Sequence, residues 1–209
     1  MKRTRILLAD DHTLTLEGIR SVIEPHHEIA GMVTDGRALV EAALRLRPDL
    51  IILDITMPLL NGIDAAVQIR KNLPEVKLLF VTMHVNPAYL EAALNAGAIG
   101  YVLKSAAREE LLDAIRSVLK GHIYVSPSLS SEHLERFSDP SRAAATLRLS
   151  TREREILQLI AEGRAAKEIA HVLDISIKTV AFHRDNLKRK LGLRTTAELT
   201  KHAIEQGLV

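Results

Sequence analysis

Apolar residues along this chain follow one rhythm up to about residue 121 and another from about residue 148. In the first stretch, short β-rich runs alternate with helix-length segments. The runs are Arg5–Ala9, Glu28–Val33, Leu50–Asp54, Lys77–Thr82 and Gly100–Leu103. Between them, apolar residues recur at three- and four-residue spacing, as in Leu39, Ala42, Ala43, Leu46 and in Leu111, Leu112, Ile115, Val118, Leu119. Strands that are nearly continuously apolar and alternate with helices predict a five-stranded, doubly wound parallel sheet covered on both faces. No glycine-rich loop follows the first run, which argues against a nucleotide-binding version of that sheet.

From Leu149 onward every periodic segment is helical. Ser150 with Glu153 forms a capping-box pattern ahead of Ile156, Leu157, Leu159 and Ile160. Further helices are predicted over about 166–173, 177–191 and 195–206, with a short break at Asp174-Ile175-Ser176. Residues 122–147 fit neither rhythm: Tyr124-Val125-Ser126-Pro127-Ser128 and Ser138-Asp139-Pro140-Ser141 are loop-like, with room for a short helix over Ser131–Phe137. The reading is an α/β domain over 1–121, a linker over 122–147 and an all-α, four-helix helix-turn-helix domain over 148–209.

Charge sharpens the division. Residues 1–122 hold 14 basic and 15 acidic side chains, whereas residues 148–209 hold 12 and 8. The basic excess lies where a helix-turn-helix would meet nucleic acid. The chain has no cysteine, which excludes disulfides and cysteine-ligated zinc. No apolar run reaches membrane-spanning length, and Met1-Lys2-Arg3-Thr4-Arg5 lacks a signal-peptide core, so a soluble cytoplasmic protein is expected. The nine histidines form no ligand pattern.

The candidate chemistry sits at strand ends. The run Ile6-Leu7-Leu8-Ala9 ends in Asp10-Asp11, and Leu50-Ile51-Ile52-Leu53 ends in Asp54. Side by side in a parallel sheet, the two strands gather three carboxylates at their C-terminal ends, where such sheets bind ligands. That much negative charge calls for a cation.

Asp10-Asp11, Asp54, Met57-Pro58, Asn61-Gly62, Thr82, Gly97-Ala98, Gly100-Tyr101 and Lys104 follow one another in the order and spacing of a receiver domain. Leu149-Ser150-Thr151-Arg152-Glu153, Glu168-Ile169-Ala170, Ser176, Thr179-Val180, His183, Lys190-Leu191 and Gly207-Leu208 match a LuxR-like helix-turn-helix. Together the two halves resemble response regulators of the NarL/FixJ type over nearly the whole chain, least in the linker.

The resemblance implies that Asp54 accepts a phosphoryl group from a sensor histidine kinase with Mg²⁺ bound. Asp11, Asp54 and the backbone carbonyl of Thr56 would be metal ligands, with Asp10 acting through a water. Mg²⁺ suits such hard oxygen donors. Lys104 and Thr82 would hold phosphoryl oxygens, and Tyr101 would rotate inward behind Thr82 as the switch. Transfer would depend on positioning and charge stabilisation. Apart from this self-phosphotransfer and its autodephosphorylation, no enzymatic activity is expected. Thr56, Met83 and Ser105 depart from common receiver patterns, and Thr56 and Met83 bear on the dephosphorylation rate.

In the third C-terminal helix, Ile177, Val180, Leu187 and Leu191 share the face expected to pack inward. Thr179, Arg184, Lys188 and Arg189 are candidate phosphate contacts, while Lys178, Ala181, Phe182 and Asp185 are better placed for base edges. His183 lies between the two faces, and Asp185 is expected to pair with Arg189 one turn along. Ala165-Ala166 stands where relatives have a hydroxyl residue followed by asparagine, which removes a helix cap.

The function that follows is a DNA-binding transcription regulator that dimerises on paired double-stranded half-sites when phosphorylated, with Leu199, Ala203 and Ile204 as a dimer surface. Two other readings stay open. One is a constitutive DNA-binding regulator whose receiver does not switch. The other is a phosphatase-like enzyme, which would need an acid–base carboxylate two residues after Asp54, where Thr56 stands.

Overall fold

The protein is described by a computed structural model over residues 3–129 and 149–209. These residues fall into two compact units, one on each side of the connecting segment.

In the first unit the apolar runs become strands β1 (Arg5–Ala9), β2 (Glu28–Val33), β3 (Leu50–Leu53), β4 (Lys77–Thr82), β5 (Gly100–Leu103) and β6 (Tyr124–Val125). They form one sheet in the order β2-β1-β3-β4-β5-β6, every neighbouring pair parallel. The sheet therefore has six strands rather than the five expected. Tyr124 and Val125 pair with Gly100 and Tyr101, so the start of the expected linker belongs to the sheet edge. Two residues flanked by serine and proline carry too little period to register as a strand. The helix expected over 131–137 lies outside the described residues.

Helices α1 (Thr13–Ile23), α2 (Gly36–Leu46), α3 (Gly62–Asn72), α4 (Pro87–Asn95) and α5 (Arg108–Leu119) connect the strands. Strand residues alternate between two cores. Leu7, Ala9, Ile51, Leu53, Leu78, Phe80 and Tyr101 pack with the apolar faces of α2, α3 and α4. Ile6, Leu8, Leu50, Ile52, Leu79, Val81 and Val102 pack with α1 and α5. Burying both faces explains why the runs read as continuously apolar.

Short polar residues start α2, α3 and α4 beside the strand ends. Asp35 accepts from the amides of Arg37 and Ala38, Asn61 from Asp64 and Asn86 from Ala88. At Gly62 a Cβ would lie 1.9 Å from the Asp54 carbonyl oxygen, so only glycine lets α3 begin this close to the end of β3.

The second unit consists of α6 (Thr151–Ala161), α7 (Ala166–Val172), α8 (Ile177–Leu191) and α9 (Thr196–Glu205). Ser150 and Glu153 make the expected capping box on α6. On α7, Glu168 accepts from the Ala165 amide at 2.7 Å, while the alanine itself supplies no acceptor. The cap expected to be missing is thus half present. Glycine in the left-handed region at Gly192 ends α8.

Candidate functional site

Asp54 directly follows β3 and is only 5% exposed. Its Oδ1 accepts from the Ile55 amide at 2.6 Å, which turns Oδ2 toward β5. There Lys104, one residue past β5, places Nζ 2.7 Å from Asp54 Oδ2 and 2.7 Å from Asp10 Oδ2. The backbone that carries Lys104 is anchored by its own amide, which donates to the Thr82 carbonyl at 2.8 Å. One ammonium thus bridges the carboxylates that end β1 and β3.

The electrostatics are uneven. Burial is the strongest influence on Asp10 and raises its pKa; the Lys104 ammonium and the His12 amide pull the other way, and the Asp54 charge adds to the rise. Burial pulls the Lys104 pKa down, but its hydrogen bonds to Asp10 and Asp54 outweigh that and the net direction is up. The lysine therefore stays charged at neutral pH, and the carboxylates remain crowded.

Asp11 faces outward. Its Oδ1 lies 2.8 Å from His12 Nδ1, and His12 also comes within 3.4 Å of Asp10 Oδ1. The ligand atoms of Asp10, Asp11 and His12 all lie within 4.8 Å of one another. His12 was not expected to take part; its only sequence signal is that it follows the acidic pair. The carboxylate oxygens suit a hard divalent cation, which an imidazole nitrogen suits less well.

Thr82 and Tyr101 are both fully buried, and they meet through a residue that sequence reasoning did not single out. The His84 amide donates to Thr82 Oγ1 at 3.3 Å. The His84 carbonyl accepts from the Tyr101 hydroxyl at 2.9 Å. Its Nε2 lies 2.8 Å from Thr56 Oγ1, and its ring packs on Tyr89 with centroids 4.3 Å apart. Burial is the main influence on the His84 pKa and lowers it, so the ring is neutral at pH 7. Tyr101 lies inside the core, where the expected switch would place it. Met83 points out and is 68% exposed.

On α8, Ser176 caps the helix, accepting from the Thr179 amide at 3.1 Å. Val180 and Leu187 are buried as expected, but Ile177 is 52% exposed because it sits in the first turn, beyond the reach of the core. Lys178, Phe182, Asp185 and Arg189 are exposed, and Thr179, Ala181, His183 and Lys188 are half-buried. The Phe182 and His183 rings meet edge to face. Arg189 donates to Asn186 Oδ1 at 2.6 Å, and no ion pair joins it to Asp185 among the described residues. Arg184 turns inward, lining a cavity of about 370 Å³ with Ile160, Ile169 and Thr196. Leu199 and Ala203 are fully buried in their own domain, where α9 packs on α6; only Ile204 of the expected dimer surface is exposed.

A parallel sheet that gathers two aspartates and a lysine at its carboxyl end, in a chain that also carries a helix-turn-helix, defines a class. Residues 6–116 match the response regulator receiver domain family, and residues 147–203 match the bacterial regulatory proteins of the luxR family. The chain belongs to the response regulators with a LuxR-type DNA-binding domain. Among relatives, it is 38% identical to the transcriptional regulatory protein MctR of Rhizobium johnstonii, covering 99% of this chain and 96% of that one. It is 36% identical to the oxygen regulatory protein NreC of Staphylococcus aureus, covering 98% and 99%. Among solved structures, RcsB of Salmonella typhimurium superimposes with a TM-score of 0.67 at 31% identity, over 99% of both chains. RcsB of Salmonella enterica serovar Typhimurium bound to promoter P1flhDC with the phosphomimetic BeF3- gives 0.64 at 32%, over 96% and 98%. No helix among the described residues is long and apolar enough to cross a membrane.

Proposed function

We propose that Asp54 is the phosphoacceptor of a two-component pathway and that α8 reads DNA in response. The observation that carries this reading is Lys104 Nζ at 2.7 Å from both Asp10 and Asp54, on the carboxyl end of the sheet. A carboxylate attacking an anionic phosphoryl group needs its charge offset, and a preorganised ammonium does so without reorganisation.

In this reading an Asp54 carboxylate oxygen attacks the phosphorus of a phosphohistidine on a sensor kinase. The new P–O bond forms as the P–N bond breaks, and the imidazole leaves. Asp11, Asp54 and the Thr56 carbonyl would hold Mg²⁺, with Asp10 acting through a water. The cation supplies charge neutralisation for the transferring oxygens. Lys104 shifts from bridging two carboxylates to holding a phosphoryl oxygen, and the Thr82 hydroxyl leaves the His84 amide to donate to another. The receiver includes β6, and the DNA-binding domain begins at about residue 148. Lys178, Ala181, Phe182 and Asp185 face base edges, while Thr179, His183, Lys188 and Arg189 take the flanking phosphates. Arg184 reaches a phosphate only if it swings out of its cavity. The active form is a homodimer on paired half-sites.

A second reading is a DNA-binding regulator whose receiver does not switch, in which the full burial of Tyr101 is core packing alone. One experiment separates the two: DNA affinity and oligomeric state with acetyl phosphate and Mg²⁺, in wild type and Asp54→Ala. The switching reading expects a donor-dependent gain in dimer and affinity in wild type only. Equal behaviour in all four conditions would sink it and leave the second reading standing.

A further inference from the structure

The outer edge of β5 has too short a partner. β6 supplies two residues, and its rungs include the Tyr124 amide donating to the Ile99 carbonyl and the Ser126 amide donating to the Tyr101 carbonyl, each at 2.9 Å. The next amide of β5 facing that edge belongs to Leu103, which is buried, and β6 has already ended. The Ser126 hydroxyl oxygen takes the place of the missing backbone carbonyl and accepts from the Leu103 amide at 3.2 Å. Its own proton goes to Glu110 in the first turn of α5. A hydroxyl whose proton is committed to a carboxylate has its lone pairs fixed in direction. Ser126 is 1% exposed, so no water competes for these bonds.

The segment held in this way runs from Tyr101 on β5 to Leu103, next to Lys104. Ser126 grips Tyr101 by its carbonyl and Leu103 by its amide. Lys104 follows directly, its own amide tied across the strand to Thr82. On one side the segment is fixed by β4, and on the other by a single serine that comes from beyond α5. We infer that Ser126 is a positioning residue for phosphoryl transfer: it fixes the carboxyl end of β5 so that Lys104 reaches Asp54 and the incoming phosphoryl group. The inference rests on the roles given above to Lys104 and Asp54. It also makes the first residues after α5, which lead toward the DNA-binding domain, part of the site's support.

The experiment uses the full chain, with acetyl phosphate and Mg²⁺ as the phosphorylating system. It compares wild type, Ser126→Ala, Ser126→Thr and Lys104→Ala, together with the Ser126→Ala and Lys104→Ala double variant. Misplacing a reacting group by a fraction of an ångström costs rate steeply, so Ser126→Ala is expected to be phosphorylated about tenfold more slowly. Ser126→Thr, which keeps the hydroxyl, should return to within about threefold of wild type. In the Lys104→Ala background, Ser126→Ala should have no further effect, because residues that act through one group are not additive. Independently of activity, amide exchange at Leu103 should quicken in Ser126→Ala and not in Ser126→Thr. Should Ser126→Ala fail to fold, Glu110→Ala removes the acceptor of the hydroxyl proton and is expected to slow phosphorylation by about threefold by the same reasoning. A wild-type rate in Ser126→Ala, or an equal slowing with and without Lys104, would overturn the inference while leaving the phosphoacceptor reading intact. A wild type that takes no label on Asp54 would overturn both.

Discussion

Each half of the molecule contains a lysine that reaches across the fold to a carboxylate at 2.7 Å, and the two sites are built to opposite ends. In the receiver, Lys104 serves two carboxylates whose side chains are 2% and 6% exposed. Burial leaves Asp10 with a raised pKa despite the lysine. In the DNA-binding domain, Lys190 serves Glu153 alone, and Glu153 also accepts from the Ser150 amide and hydroxyl. Burial again acts first on Glu153, but the hydrogen bonds overcome it and its pKa is lowered. The second site is satisfied and holds two helices together. The first has more negative charge than one lysine can answer, and that surplus is what a cation can use.

Substitutions at three residues probe the contrast. Lys104→Met removes the cation from the crowded site. Under the proposed function, loss of one preorganised donor of this kind should slow transfer by about 10²-fold, read by labelling of Asp54 with acetyl phosphate.

Glu153→Ala takes three hydrogen bonds from the satisfied site and should cost about 1 to 2 kcal/mol of domain stability, measured by urea unfolding. It should leave labelling of Asp54 unchanged. The pH dependence carries the sign of the lowered pKa. The stability from the Glu153 carboxylate is fully present above its ordinary value of 4.5 and is lost as pH falls through the lower folded-state value. Glu153→Gln should flatten that acid limb.

Asp10→Asn should behave in the reverse sense. A raised carboxyl pKa means that the ionised group opposes folding at neutral pH, so without added divalent cation the variant should be more stable by about 1 kcal/mol, as is common when strain at a functional site is relieved. Mg²⁺ should stabilise wild type more than the variant. A variant that is less stable without cation would show that Asp10 is as satisfied as Glu153.

The crowded site was largely legible in the sequence. Asp10, Asp54 and Lys104 each follow an apolar run, and a parallel sheet carries the ends of its strands to one edge. Thr82 and Tyr101 were legible as positions, but the residue that joins them was not. His84 follows Thr82 by two residues in a loop, and only folding brings its ring to Thr56. β6 was missed because two residues carry no period. In the second unit, periodicity identified the apolar face of α9 through Leu199 and Ala203. It did not say whether that face meets its own domain or a second copy, and α6 covers it. The inward turn of Arg184 is of the same kind, because its long apolar stem lets the side chain follow either the core or the solvent.

The hydroxyl of Tyr101 is held by the peptide carbonyl of His84, while the imidazole of the same residue reaches Thr56 and Tyr89. These two bonds differ in heritability. Almost any amino acid at position 84 presents the same carbonyl, so the tyrosine's anchor survives substitution there. The ring does not. A lineage could exchange His84 for another side chain and alter what lies beside Thr56 without loosening Tyr101; under the proposed function, the lifetime of the signal would then drift while the seat of Tyr101 stays fixed.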